Sequence, residues 1–172
     1  KNVPVAGRVS FENVSFGYKS YEPVLRDINL AIRPGEMIGI VGRSGAGKST
    51  MINLLMRLYD PNRGRIIING TDIRDMSPEH LHENIGVVFQ DTFLFAGSIY
   101  DNIAYAKPGA TIEEVIAAAK AANAHDFIMR TADGYNTIIG ENGHSISGGE
   151  RQRLAIARAI IKDPAIYILD DA

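Results

Sequence analysis

A glycine-rich segment between an apolar run and an amphipathic helix carries the residue types that bind phosphate. Residues 42–49 fit the pattern G-x-x-x-x-G-K-[S/T]. Backbone N–H groups of such a loop and of the helix N-terminus point at phosphate oxygens, Lys48 can reach the terminal phosphates, and the Ser49 hydroxyl can ligate Mg²⁺. The alternative is a glycine-rich turn with an exposed lysine. The candidate phosphate-binding residues are Gly42, Arg43, Ser44, Gly45, Ala46, Gly47, Lys48, Ser49 and Thr50.

A second segment has the features of a phosphate-binding helix N-terminus without a lysine. Residues 146–153 read Ile-Ser-Gly-Gly-Glu-Arg-Gln-Arg. Ser147 can cap the helix, and Gly148 and Gly149 allow a γ-phosphate to approach closely. This segment follows the phosphate loop by about 100 residues and lies on a different helix, so we expect two subunits to be needed to close both around one nucleotide. The alternative is a capped helix start and nothing more.

Alternating strands and helices are predicted to position these segments. Apolar alternation predicts an N-terminal antiparallel layer, and the continuous apolar run 37–41 predicts a buried parallel strand. A helix is predicted over residues 47–58, and Thr111-x-x-Glu114 and Ser147-x-x-Glu150 are capping boxes that open two further helices. The remaining predicted elements are strands at 65–69, 85–89 and 166–169 and a short helix capped by Ser77-Pro78. This order predicts an α/β fold: a P-loop NTPase core with a mainly parallel sheet.

Composition limits the classes of protein that fit. With 172 residues, 45% of them hydrophobic, the chain can bury one core, so we predict a single domain over 1–172 with a helical subdomain at about 91–160. The formal net charge of −2 gives no basic field for nucleic acid. The chain has no cysteine and no apolar run near the roughly 20 residues that span a bilayer. It begins with Lys1 and ends directly after an apolar strand, and we therefore expect it to be part of a longer protein.

Together, these motifs resemble those of ATP-binding cassette (ABC) proteins. Residues 146–153 resemble the LSGGQ signature of that family, and they precede an apolar strand ending in Asp by about 20 residues. The resemblance covers essentially the whole chain. It implies ATP and Mg²⁺ as cofactors, ATP hydrolysis, and a second nucleotide-binding domain as partner in a homodimer or heterodimer. It also implies that Ser147, Gly148 and Gly149 contact the partner's nucleotide.

The resemblance also assigns roles to Tyr18 and Gln90. Tyr18 matches the aromatic residue that stacks on adenine, with nearby Tyr21 as the competitor for that role. Gln90 matches the glutamine that reaches Mg²⁺ and the attacking water. The alternatives are a core or surface tyrosine and a polar residue at a strand end.

Two aspartates end the chain's last predicted strand, Ile166–Leu169. This strand resembles the Walker B strand, which is buried on both faces, and Asp170 then emerges at the carboxyl end of the sheet and can hold Mg²⁺ through water. Asp171 falls where the family usually carries the glutamate that polarises the attacking water. Because aspartate is one methylene shorter, the resemblance implies a degenerate, slowly hydrolysing site.

Two further stretches resemble exporter sequences, residues 91–103 and 137–143. They imply attached transmembrane domains whose coupling helices contact this chain, and a location on the cytoplasmic face of a membrane. Phe93, Leu94 and Phe95 would suit a groove for a membrane-domain helix or form part of the core. One rival function is an ABC ATPase acting on nucleic acid or ribosomes. The exporter-like stretches disfavour it, and the family members that act on DNA through long coiled-coil arms carry a very large insertion between the positions of Gln90 and Ser147, where this chain has only about 55 residues. The other rival is a regulatory domain that binds ATP but scarcely hydrolyses it. The histidines, His80, His82, His125 and His144, are predicted to lie on the solvated surface.

Overall fold

The computed structural model describes residues 7–43, 47–89, 93–140 and 145–170. It divides into two compact units, residues 1–85 and 86–172. Both contain strands and helices, which confirms the predicted α/β class. Within the described ranges, no helix is long and apolar enough to cross a membrane.

The first unit contains the predicted antiparallel layer. Its sheet has the order β2-β1-β3-β4, and β1 pairs antiparallel with both β2 and β3. The strands are β1 (Val9–Phe16), β2 (Leu25–Ile32), β3 (Arg63–Ile68) and β4 (Thr71–Asp72). Strands β3 and β4 form a hairpin through Asn69 and Gly70, whose φ angles of 52° and 83° fit a turn that needs two left-handed residues.

A bulge in β1 explains an irregularity in its apolar pattern. The buried residues are Val9 and Phe11, then Val14 and Phe16, so the alternation shifts by one residue in mid-strand. The pairing register with both neighbours shifts at the same place, and Asn13 has a φ of 50°. The extra residue of the bulge lets both halves of the strand face the same core.

Two α-helices accompany this sheet, α1 (Lys48–Leu55) and α2 (Pro78–Glu83). Helix α2 begins as predicted, since the Ser77 side chain accepts a hydrogen bond from the His80 N–H and proline occupies the first turn. Helix α1 is shorter than predicted, and Leu58 beyond its end is exposed. Most buried hydrophobic residues of the first unit come from the sheet and from both helices: Val9, Phe11, Val14, Phe16, Leu25, Leu54, Leu55, Ile66, Ile68 and Leu81. Ile73, in a short 3-10 helix, and Ile85, at the start of a further strand, are also buried.

The second unit is mainly helical. Its helices are α3 (Ile99–Ala104), α4 (Ile112–Ala121), α5 (His125–Arg130) and α6 (Gly148–Lys162), and they surround one apolar cluster that includes Ile103, Val115, Ile128 and Leu154. Strand β5 (Ile85–Val88) pairs with β8 (Ile166–Leu169), and β6 (Gly97–Ser98) pairs antiparallel with β7 (Ile138–Ile139).

Two predicted buried strands differ in the structure. Residues 37–41 form no strand, and Met37 and Val41 are 96% and 95% exposed. Strand β8 exists, but Tyr167 and Leu169 are exposed, so it is not buried on both faces. The physical reason is the same for both. An apolar run fixes which residues favour burial, whereas the strands and helices that would cover it are set by distant parts of the chain.

Candidate nucleotide-binding site

The end of the glycine-rich segment is set by the backbone of Gly47. This residue precedes α1 with φ 96° and ψ 2°, a left-handed conformation, and a Cβ there would lie 2.8 Å from Cδ2 of Leu25. Only glycine fits both constraints without strain. Lys48 is thereby the first residue of α1, and its Nζ donates to the Gly42 carbonyl at 2.6 Å. The lysine side chain therefore joins the two described ends of the segment.

The rest of the segment is divided between solvent and core. Gly42, Arg43 and Ser49 are exposed, whereas Thr50 is 5% exposed. Ser44, Gly45 and Ala46 lie outside the described residues. The Ser49 hydroxyl is thus available in the first turn of α1, where the unpaired N–H groups of a helix favour anions.

Tyr18 contacts the helix that follows this segment. Its hydroxyl lies 3.1 Å from Oγ1 of Thr50, and Asn53 Nδ2 donates to it at 3.2 Å. Its ring packs edge-on against Phe16 and Tyr59, with both centroid distances at 5.0 Å. Half of the side chain remains exposed.

Tyr21, the competing tyrosine, has a different environment. It is 73% exposed, and Lys19 Nζ lies 5.9 Å from its ring centroid. Of the two tyrosines, Tyr18 is therefore the one whose hydroxyl bonds to α1.

The glycine pair at residues 148–149 opens α6. The predicted capping box is complete: Ser147 Oγ accepts from the Glu150 N–H at 3.2 Å, and Glu150 Oε1 accepts from the Ser147 N–H at 3.0 Å. Ser147, Gly148 and Gly149 are all exposed, and a Cβ added at either glycine would meet nothing within 4 Å. The N-terminus of this 15-residue helix is therefore open to a ligand.

Asp170 directly follows β8. Its N–H donates to the Val88 carbonyl at 2.9 Å, so the pairing with β5 extends to the aspartate, which is half-buried. Gln90 and Asp171, the two residues predicted to act on the attacking water, lie outside the described residues.

The Phe93–Phe95 stretch divides between the two predicted environments. Phe93 is 75% exposed, whereas Leu94 packs against the helical core. The ring of Phe95 lies 5.5 Å from that of Tyr105, which is itself 70% exposed. Exposed aromatic surface thus remains at Phe93 and Tyr105, while Leu94 belongs to the core.

Sequence reasoning missed a polar network built on Arg158 of α6. Its Nε donates to the Asn102 carbonyl at 2.9 Å, its Nη1 to the Phe93 carbonyl at 2.8 Å, and its Nη2 to Asn102 Oδ1 at 3.2 Å. Asn102 is 1% exposed, and its amide also bonds to the backbone of Phe95 and Ser98. Burial lowers the pKa of Arg158. The one signal in the sequence that could have indicated this network is a polar residue, Asn102, directly before Ile103 in a helix with a buried face.

One predicted surface histidine is partly inside. His125 is half-buried, and its Nδ1 lies 2.7 Å from the hydroxyl of Tyr135, whose pKa is raised by burial. The prediction that it is solvated is wrong, because its position at the start of α5 brings it against Tyr135. His80 and His82 are exposed as predicted, and His144 lies outside the described residues.

Comparisons with known proteins agree with these motifs. The family model described as ABC transporter matches residues 25–172. The putative multidrug export ATP-binding/permease protein YgaD of Bacillus subtilis (strain 168) is 52% identical over 169 residues, 98% of this chain and 29% of the relative. The heavy metal tolerance protein of Schizosaccharomyces pombe is 53% identical over 166 residues, 96% of this chain and 20% of the relative.

A solved structure of a bacterial Atm1-family ABC exporter with ATP bound is 47% identical to this chain, with a TM-score of 0.87. The match covers 95% of this chain and 29% of that one. The chain therefore spans less than a third of the length of these proteins. Since the family model covers most of the chain and the fold of a relative covers nearly all of it, this chain belongs to the ABC transporter family.

Proposed function

We propose that this chain binds Mg-ATP and hydrolyses it as part of an exporter. The observation that carries the proposal is the placement of Lys48 at the first position of α1, with its Nζ on the Gly42 carbonyl, beside a tyrosine held against the same helix. Similarity to known proteins supports it, since the relatives include an export ATP-binding/permease protein and an exporter with ATP bound.

In this proposal the phosphates bind at residues 42–50. Lys48 exchanges its Gly42 carbonyl contact for phosphate oxygens, and the N–H groups of the first turn of α1 add further donors. Ser49, Gln90 and Asp170 would hold Mg²⁺, which would supply positive charge to offset that of the nucleotide phosphates. The exposed hydroxyl of Ser49 and the strand-end carboxylate of Asp170 are oxygen donors of the kind that Mg²⁺ prefers.

A second subunit is expected to complete each site. Ser147, Gly148 and Gly149 would contact the nucleotide bound to a partner nucleotide-binding domain, in a head-to-tail dimer. Their exposure and the open space at both glycines support this role, because a Cβ at Gly148 or Gly149 would meet nothing within 4 Å and this space can admit a phosphate.

Attached transmembrane domains would use the ATP cycle for export. The chain would then lie on the cytoplasmic face of a membrane and receive coupling helices. The exposed aromatic residues Phe93 and Tyr105 support such a contact. The rival function, an ABC ATPase acting on nucleic acid or ribosomes, is disfavoured by the formal charge of −2.

The binding step is tested with Lys48→Ala. Removal of the charged contact to the phosphates is expected to weaken Mg-ATP binding by at least about tenfold, since a charge-assisted hydrogen bond is worth about 1.5–3 kcal/mol. Isothermal titration calorimetry on the purified protein measures the affinity. Lys120→Ala, on an exposed position of α4, is the matched control and should bind as the wild type does. Equal ATP affinity in Lys48→Ala and wild type would refute the proposal.

Asp171 makes this a slowly hydrolysing site in our proposal. A base withdrawn by about 1 Å can cost on the order of a hundredfold in rate. Asp171→Glu in the full-length transporter should therefore raise hydrolysis severalfold, with little change in ATP affinity. Single-turnover hydrolysis, with the phosphate-loop lysine of any distinct partner subunit disabled, isolates this site. Unchanged or lower turnover with glutamate would contradict the degenerate-site assignment.

A further inference from the structure

We propose that the Tyr18 hydroxyl fixes the base-stacking ring to the phosphate-binding helix, which makes Thr50 and Asn53 positioning residues for the base. The inference rests on the proposed ATP-binding function and on the family resemblance by which Tyr18 stacks on adenine. Stacking needs only the ring of an aromatic residue, so a hydroxyl held by two partners points to an additional role. Both partners belong to α1, which begins at Lys48.

The two partners lie on one side of the helix. Residues three apart on an α-helix are neighbours on its surface, so the side chains of Thr50 and Asn53 can reach the same phenol oxygen. Asn53 Nδ2 donates to that oxygen, and the phenol proton is then free to be donated to Thr50 Oγ1. Because Thr50 is 5% exposed, loss of this contact would leave a buried hydroxyl without its described partner.

The ring itself is held by two aromatic neighbours. Phe16 and Tyr59 each meet it edge-on, with interplanar angles of 84°, and the side chain keeps half of its surface exposed. The turn that carries Tyr18 is also tight, because a Cβ at Gly17 would lie 2.4 Å from the Glu22 carbonyl oxygen. Hydroxyl, ring and backbone are therefore all held by contacts within the chain itself.

Fixing the ring in advance should strengthen the binding of the base. An aromatic side chain already held in its bound rotamer loses less conformational entropy on binding. Since the hydroxyl attaches the ring to α1, the base and the phosphates of one nucleotide would meet a single rigid element. We expect the hydroxyl contacts to contribute about threefold to tenfold in ATP affinity.

The test separates the base from the phosphates. Tyr18→Phe keeps the ring and removes the hydroxyl, and Asn53→Ala removes one partner. Tyr167→Phe is the matched control: it makes the same chemical change at a half-exposed tyrosine of β8, and in the part of the chain that the structure describes this hydroxyl makes no hydrogen bond. Calorimetry gives the dissociation constants for ATP and for inorganic tripolyphosphate, which has no base, both with Mg²⁺.

Tyr18→Phe and Asn53→Ala should raise the dissociation constant for ATP about threefold to tenfold and leave that for tripolyphosphate within twofold, whereas Tyr167→Phe should change neither. Wild-type affinity for ATP in Tyr18→Phe would overturn the inference and leave the proposed function standing. Equal losses for ATP and tripolyphosphate would also overturn it, because the hydroxyl would then act on the phosphate loop. If Tyr18→Phe fails to fold, Asn53→Ala carries the test alone. A wild-type protein that binds no ATP would refute the proposed function itself.

Discussion

Removal of the Arg158 guanidinium should destabilise the second unit. Arg158→Met keeps a long side chain over the same surface and deletes three hydrogen bonds, two of which go to Asn102. Hydrogen bonds to charged groups contribute about 1.5–3 kcal/mol each. The guanidinium is only partly buried and its bond to Phe93 is exposed, so the sum must be reduced for solvent competition. We expect a loss of about 2–4 kcal/mol in the free energy of unfolding.

Two further variants separate the bonding geometry from the charge. Arg158→Lys retains the charge but cannot reproduce the planar fork that bonds to three oxygens, so an intermediate loss is expected. Arg130→Met makes the same chemical change at an exposed position of α5 and should remain within about 0.5 kcal/mol of the wild type.

Urea unfolding measures these differences. Circular dichroism and tyrosine fluorescence should be followed together, because a chain with two compact units need not unfold in one step. If the two units unfold in separate transitions, the loss of stability should appear only in the transition of the second unit. Arg158→Met with the stability of Arg130→Met would refute the reasoning, since the network would then contribute nothing that water does not replace.

Helix starts were the most predictable features, because their signals are local. Ser77, Thr111 and Ser147 each cap the helix that the sequence assigned to them. The N–H group that donates to each cap lies three residues further on, so the whole interaction forms within four consecutive residues. The motif predicts a glycine at residue 47, but one cause of the requirement, the close approach of the Leu25 side chain, comes from a residue 22 positions away.

Features that depend on distant contacts were not predictable. The bonds of Arg158 to Asn102 span 56 residues, and nothing in either neighbourhood indicates the other. Tyr18 and Tyr21 are equivalent as aromatic residues in the sequence. The structure distinguishes them through contacts with distant residues, such as the bond between Tyr18 and Thr50, 32 residues apart. The exposure of residues 37–41 has the same origin, because strand partners are not contained in an apolar run.

The remaining predictions concern two glycines of the first unit's sheet and the capping box at the start of α6. Gly64→Ala should lower the free energy of unfolding more than Gly70→Ala does. Both glycines have left-handed φ angles, but a Cβ at Gly64 would lie 2.3 Å from two carbonyl oxygens of β1, whereas a Cβ at Gly70 would meet nothing within 4 Å. Left-handed strain alone costs about 1–2 kcal/mol, so urea unfolding should show at least that loss for Gly70→Ala and a clearly larger one for Gly64→Ala; equal losses would contradict the packing argument. At α6, Ser147→Ala removes the oxygen that accepts from the Glu150 N–H and should cost about 0.5–2 kcal/mol. Glu150→Gln keeps an oxygen for the Ser147 N–H but loses the negative charge at the positive end of the helix, so its cost should be smaller, about 0.3–1 kcal/mol. Salt separates the two effects, because screening should reduce the cost of the glutamine variant and leave that of the alanine variant nearly unchanged. If Glu150→Gln proved the more destabilising of the two at high salt, the capping box would not be what holds the first turn of α6, and the open N-terminus beside Gly148 would need another source of rigidity.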